Sequence, residues 1–141
     1  MLQLKNVEVK YSNVILVLRG VSMEVRDEQI VCLLGANGAG KSTTLKAVSG
    51  LVQSELGYVS DGTIEFEGKQ IQNEDPEIVA RKGIVQIQEG RKVLEHLTCY
   101  ENLMMGAYTS KTRAEVRKDL EMVYGYFPLL KRLSNRASGY L

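Results

Sequence analysis

The residues with the most chemical content are Gly35, Ala36, Asn37, Gly38, Ala39, Gly40, Lys41, Ser42 and Thr43, which fit the pattern G-x-x-x-x-G-K-[ST]. Small side chains dominate this stretch and leave the backbone N–H groups uncovered. Only an uncovered backbone can close around the crowded anionic oxygens of a triphosphate. Lys41 adds a full positive charge directed at the β- and γ-phosphates. The Ser42 hydroxyl is an oxygen donor of the type Mg²⁺ prefers. A helix starting near Gly40 would contribute free donors and the positive end of its dipole. Together these groups would bind a Mg-bound triphosphate. A glycine-rich turn that merely caps a helix is the plainer reading, and the flanking pattern, strand before and helix after, weighs against it.

The surrounding elements must hold that loop. Ile30 to Leu34 is an unbroken apolar run, which predicts a strand buried on both faces that delivers the chain to Gly35. Lys41 to Leu51 reads as a helix with Leu45, Val48 and Leu51 on one side, and Gly50 marks its end. Upstream, Leu2, Leu4, Val7 and Val9, then Val21, Met23 and Val25, alternate with polar residues, the pattern of half-buried antiparallel strands. Gly57, Asp61 and Gly62 predict a turn region, and Thr63 to Glu67 a further strand with Ile64 and Phe66 on one face. Asp75-Pro76 predicts a helix start, Gly83 its end, and Ile84 to Ile87 a second core strand.

The last third reads as helical. Thr98 with Glu101, and Thr112 with Glu115, have capping-box spacing. Val116, Leu120, Val123 and Phe127 form a stripe expected to pack in a core, and Pro128 is expected to close that helix.

Composition narrows the class. The chain has 141 residues, 44% apolar and 25% charged, as in a single soluble globular domain. A formal net charge of +1 gives no bulk attraction to nucleic acid or an anionic membrane. No apolar run approaches the ~20 residues that span a bilayer, and the N-terminus lacks a signal-peptide pattern. Cys32 and Cys99 lie far apart and outside metal-ligand spacing. Cys32 is expected to be inert core. Cys99 falls in the first turn of a helix, where a thiol pKa can drop. His96 has no acid or metal partner in sequence. A reducing, cytosolic setting fits these features. Neither Asn-Lys-x-Asp nor Asp-x-x-Gly occurs, which argues against a GTPase.

The loop Gly-Ala-Asn-Gly-Ala-Gly-Lys-Ser-Thr resembles the Walker A motif of ABC transporter ATPases, and the resemblance runs the length of the chain. Within that family it is most similar to the ATP-binding subunit of branched-chain amino acid importers, the LivF type. Leu18-Arg19-Gly20-Val21-Ser22, Glu89-Gly90-Arg91 and the long stretch from Leu97 to Tyr108 carry that likeness. The resemblance implies an α/β fold, the N-terminal part of a P-loop NTPase. An antiparallel β subdomain would occupy about 1–27 and 58–70, a partial RecA-like core about 28–57 and 71–92, and the start of a helical subdomain about 93–141. It implies ATP and Mg²⁺ as ligands, with Tyr11 at the aromatic position that stacks on adenine, a contact typically of ~1–3 kcal/mol. Glu89 stands at the Q-loop position that reaches Mg²⁺ or the attacking water, although Gln88 replaces the usual proline and leaves Gln86 and Gln88 as alternative registers. Tyr100 and Glu101 would face a permease coupling helix; ordinary capping and packing is the alternative for both.

The resemblance also implies partners: a second ATPase subunit, two transmembrane permease subunits and, indirectly, an extracytoplasmic binding protein, with no nucleic acid. The chain would then sit in the cytoplasm on the inner face of the membrane. Hydrolysis in the family needs a signature motif, a Walker B strand ending in Asp-Glu and a switch histidine. None is found, and by alignment Leu141 would be the first signature residue. The 141 residues are therefore expected to bind ATP without turning it over. An inactive fragment or a non-hydrolysing nucleotide-binding module is the alternative.

Overall fold

The computed structural model describes residues 1–90, 92–109 and 112–140. Arg91 and Leu141, both used in the motif comparison, lie outside the described residues. The chain divides into two compact units, residues 1–87 and 88–141.

The first unit is built on a four-stranded antiparallel sheet. Strands β1 (Leu2–Tyr11), β2 (Ile15–Val25), β3 (Gly57–Phe66) and β4 (Lys69–Gln70) lie in the order β2-β1-β3-β4. The expected alternation is present, but it changes phase part-way. Leu4 is buried and so are Val7 and Val9, an odd step that a regular strand cannot make. The step occurs at Asn6, whose φ is 48°. Registers shift there against both neighbours. In β2 the inward set passes from Leu18 to Val21 and Met23 across Gly20, φ 77°. In β3 it passes from Val59 to Ile64 across Gly62, φ 81°. All three strands therefore slip together along one line of bulges. A Cβ on Gly62 would lie 2.3 Å from the Asn6 carbonyl oxygen, so glycine is required at that crossing. Ser60 is left over in the β3 register, and its hydroxyl is buried without a partner. The expected turn over 57–62 is thus a bulged strand. Glycine served a bulge there, and the actual turn is Glu67-Gly68.

Against the sheet packs α1 (Lys41–Ser49), ended by Gly50 in the left-handed region at φ 77°. A short 3-10 turn follows at Leu51–Glu55. The buried side of α1 is Thr44, Ala47, Val48 and Ser49, with Leu45 exposed, so the expected Leu45–Val48–Leu51 face is rotated. Leu4, Val7, Val9, Leu18, Ala47, Val48, Val52, Val59, Ile64 and Ile71 form one apolar cluster. Helix α2 (Pro76–Arg81) begins as its sequence predicts, with the Asp75 carboxylate accepting from Glu77 N–H.

The two expected core strands do not form. Residues 30–34 and 84–87 carry no strand, and Ile30, Leu34, Val85 and Ile87 are 95%, 89%, 80% and 94% exposed. Cys32, expected in the core, is exposed with them. Apolar sequence makes burial favourable, but burial needs neighbouring strands, and none of the described residues supplies them.

The second unit contains α3 (Cys99–Gly106), α4 (Arg113–Tyr126) and α5 (Pro128–Arg132). Both capping boxes are present. Pro128 follows the end of α4 and opens α5 at its first position. The α4 stripe is not core. Val116, Leu120 and Val123 are half-buried and line an open groove with Met104, while Phe127 is exposed beyond the helix end. Asn102 holds this unit together. Its amide donates to the carbonyls of Leu94, Leu97 and Thr98 and to the Ser138 hydroxyl, and its carbonyl oxygen accepts from Leu94 N–H. Thr98 and Ala137 form a β-bridge beside it.

Candidate nucleotide-binding site

The loop from Gly35 to Gly40 leads directly into α1. Gly38 and Gly40 have φ of 81° and 89°, values that exclude most side chains. Gly40 is also constrained by packing, because a Cβ there would lie 2.5 Å from Leu18 Cδ2. The loop's base therefore rests on β2. At its other end a Cβ on Gly35 would approach the Ala39 Cβ to 3.1 Å, and Ala39 N–H donates to the Ala36 carbonyl at 3.2 Å. These contacts close the loop into a small ring.

Lys41 stands at the mouth of that ring. Its Nζ donates to the Gly35 and Ala36 carbonyls at 2.8 and 2.7 Å, so the ammonium is fixed by the loop it belongs to. Thr44 locks the first turn of α1, its N–H and Oγ1 both donating to the Gly40 carbonyl at 2.8 and 3.0 Å. No side chain caps the N-terminus of α1, and its first turn holds no acid. The helix start keeps its donors and its positive end for an incoming anion. Residues 35–39 and Ser42 are exposed, and Lys41 and Thr43 half-buried. Among the described residues no group of three or more His, Cys, Asp or Glu could hold a metal. A lone Ser42 hydroxyl suits a metal that keeps waters and takes phosphate oxygens as its other ligands, as Mg²⁺ does.

A family model described as ABC transporter matches residues 18–138. The chain belongs to the ABC transporter family. It is similar to the high-affinity branched-chain amino acid transport ATP-binding protein BraG of Pseudomonas aeruginosa, 38% identical over 130 residues, 92% of this chain and 53% of that protein. It is also similar to the ribose import ATP-binding protein RbsA of Geobacillus kaustophilus, 34% identical over 84% of this chain and 23% of that protein. Among solved structures, the ADP conformation of an ATP-binding cassette of an ABC transporter superposes with a TM-score of 0.78. That match is 28% identical and covers all of this chain and 58% of the other. The chain thus spans about half the length of BraG and of that cassette, and it adopts the ABC ATPase cassette fold with its antiparallel sheet.

The remaining positions suggested by the ABC resemblance are distributed over both units. Tyr11 ends β1, paired with Ile15 and Gly57, in the same unit as the loop. Its half-buried ring lies over Gly57, where a Cβ would meet Cε1 at 2.8 Å, and packs against the apolar cluster. Gln86 accepts a 2.6 Å hydrogen bond from Ser49 Oγ on α1. Gln88 and Glu89 belong to the second unit and are exposed.

Tyr100 and Glu101 lie in the first turn of α3. Tyr100 is 43% exposed and lines a groove of about 560 Å³ with Met104, Val116 and Leu120. Glu101 serves the capping box. Its carboxylate accepts from Thr98 N–H and Oγ1, each at 2.8 Å, and these bonds hold it below the ordinary carboxylate range. Cys99 is buried, its Sγ 3.7 Å from the Leu130 carbonyl oxygen. Sequence reasoning missed two residues: Asn102, whose sequence signal was a poor helix former inside an apolar helix, and Leu18, the floor beneath Gly40.

Proposed function

We propose that this ABC-family chain provides the phosphate-gripping part of the ATP-binding subunit of an importer for branched-chain amino acids. The observation that carries the reading is the closed ring of residues 35–40, with Lys41 at its mouth and an uncapped helix start behind it. ATP would place its phosphates against this backbone, with Lys41 Nζ exchanging the Gly35 and Ala36 carbonyls for phosphate oxygens. Ser42 would hold Mg²⁺ together with those oxygens. Tyr11 would stack on adenine, and Glu89 would take the Q-loop role. The likeness to BraG supports the cargo, and the likeness to RbsA makes ribose the competing cargo.

Turnover is assigned to a protein that also carries a signature motif, a Walker B acid pair and a switch histidine. Two such ATPase subunits would pair, dock on two permease subunits at the inner membrane face and work with an external binding protein. Tyr100 and Glu101 would meet the permease.

Calorimetric titration with Mg-ATP tests the central claim. Lys41→Ala should weaken binding by about 1–3 kcal/mol, the range for a charge-assisted hydrogen bond. Unchanged affinity would remove the loop from the site. Tyr11→Ala should weaken ATP more than inorganic triphosphate, and equal losses would take Tyr11 out of it.

A further inference from the structure

The nucleotide site leaves the far end of the second unit unexplained. Helices α4 and α5 meet at Phe127, and the apolar residues around that corner divide into two sets. Val123, Tyr124, Leu130 and Leu133 are half-buried within the unit. Met122, Tyr126, Phe127 and Leu129 point the other way and are 54%, 75%, 60% and 53% exposed. Met122 and Tyr126 stand one turn apart on α4, and Leu129 and Arg132 about one turn apart on α5. Single exposed apolar side chains are ordinary. Four around one corner, two of them aromatic, form a patch that asks for an occupant.

Charge indicates which occupant. From Met122 to Leu141 the sequence contains no Asp or Glu, while Lys131, Arg132 and Arg136 are all cationic. These three side chains are exposed, and among the described residues none forms a salt bridge with a carboxylate. The net charge of +1 is therefore a poor guide to this corner. Exposed aromatic and aliphatic groups beside unpaired Lys and Arg suit the boundary between acyl chains and anionic headgroups. The nearest carboxylates, exposed Asp119 and Glu121, precede the corner on α4, and Glu121 is paired with Arg117. An anionic lipid surface offers phosphates to the cations and acyl chains to the apolar groups at once.

We propose that the α4–α5 corner binds an anionic lipid surface directly, with Tyr126, Phe127 and Leu129 entering the headgroup boundary and Lys131 and Arg132 meeting lipid phosphates. This goes beyond the nucleotide reading and does not rest on it.

The test is co-sedimentation of the 141-residue chain with vesicles of phosphatidylglycerol and phosphatidylcholine, against phosphatidylcholine alone. Binding to the anionic vesicles should weaken as salt is raised. Lys131→Gln with Arg132→Gln should lower partitioning about twenty-five-fold, from about fivefold per cation near a charged surface. Phe127→Ser should lower it without removing the salt dependence. Val85→Ser with Ile87→Ser, in the exposed apolar segment of the first unit, should leave it unchanged. Equal binding to both vesicle types, or a loss that follows the first-unit variant, would show general apolar adhesion and overturn the proposal. Absence of binding would overturn it too, and would return the corner to a protein partner.

Discussion

The two units are held together by different forces. In the first, ten buried apolar residues close a sheet and a helix over one core. In the second, Cys99 and Ser138 alone fall in the buried class among the described residues, and Asn102 with two capping boxes supplies the order. Apolar burial is insensitive to direction and adds up over area, so it gives the loop of residues 35–40 a stiff floor at Leu18. A hydrogen-bonded staple is directional and concentrated in a few atoms, so it can be undone at one residue. The candidate phosphate loop thus sits on the unit whose order is spread over a packed core, and the exposed helical surface on the unit whose order is concentrated in a few polar contacts.

Substitutions can break or sharpen this contrast. The largest effect is expected from Ile64→Ala, which removes a fully buried side chain from the first core. It should cost about 2–5 kcal/mol of stability in chemical denaturation. Amide exchange should rise across the sheet and α1 while α3 stays protected; equal loss in both units would mean that they share one cooperative transition. Asn102→Ala comes next, at about 1–2 kcal/mol, because it removes the side-chain bonds that tie Leu94, Leu97 and Thr98 to Ser138, while the three carbonyls keep their backbone donors. Its exchange signature should be confined to the second unit, and a spread into β1–β3 would refute the separation. Thr98→Ala is the smallest, at about 1 kcal/mol for loss of the cap. The same box fixes a pH dependence. The Glu101 carboxyl is held low by Thr98, so its contribution is present above the ordinary carboxylate pKa and is lost as pH falls through its depressed value. The difference in melting temperature between wild type and Glu101→Gln should therefore shrink in acid; a constant difference would exclude the box as its cause.

Local rules were legible in the sequence. The loop and its helix, Gly50 as a stop, the Asp75-Pro76 start and both capping boxes depend on residues within a few positions of one another. The failures all involve contacts that the local pattern does not specify. Ile30–Leu34 and Ile84–Ile87 have the composition of core strands, yet strand formation depends on a neighbour. Gly57 to Gly62 looked like a turn because glycine serves turns and bulges equally, and the choice is made by Asn6 on the adjacent strand. For the candidate site, the residues of the loop could be read directly. The Lys41 contacts and the Leu18 floor could not, since both depend on how the chain folds back on itself.

The line of bulges through Asn6, Gly20 and Gly62 has a consequence for how this sheet can change length. Each strand is two half-strands of opposite parity, and the three half-strand boundaries must coincide. Removing one residue from a single strand would invert the facing of everything beyond the deletion while its neighbours kept theirs. Length variation is therefore confined to the connections, where an added residue alters no parity, and the sheet behaves as a counted object whose residue number is as constrained as its hydrophobicity.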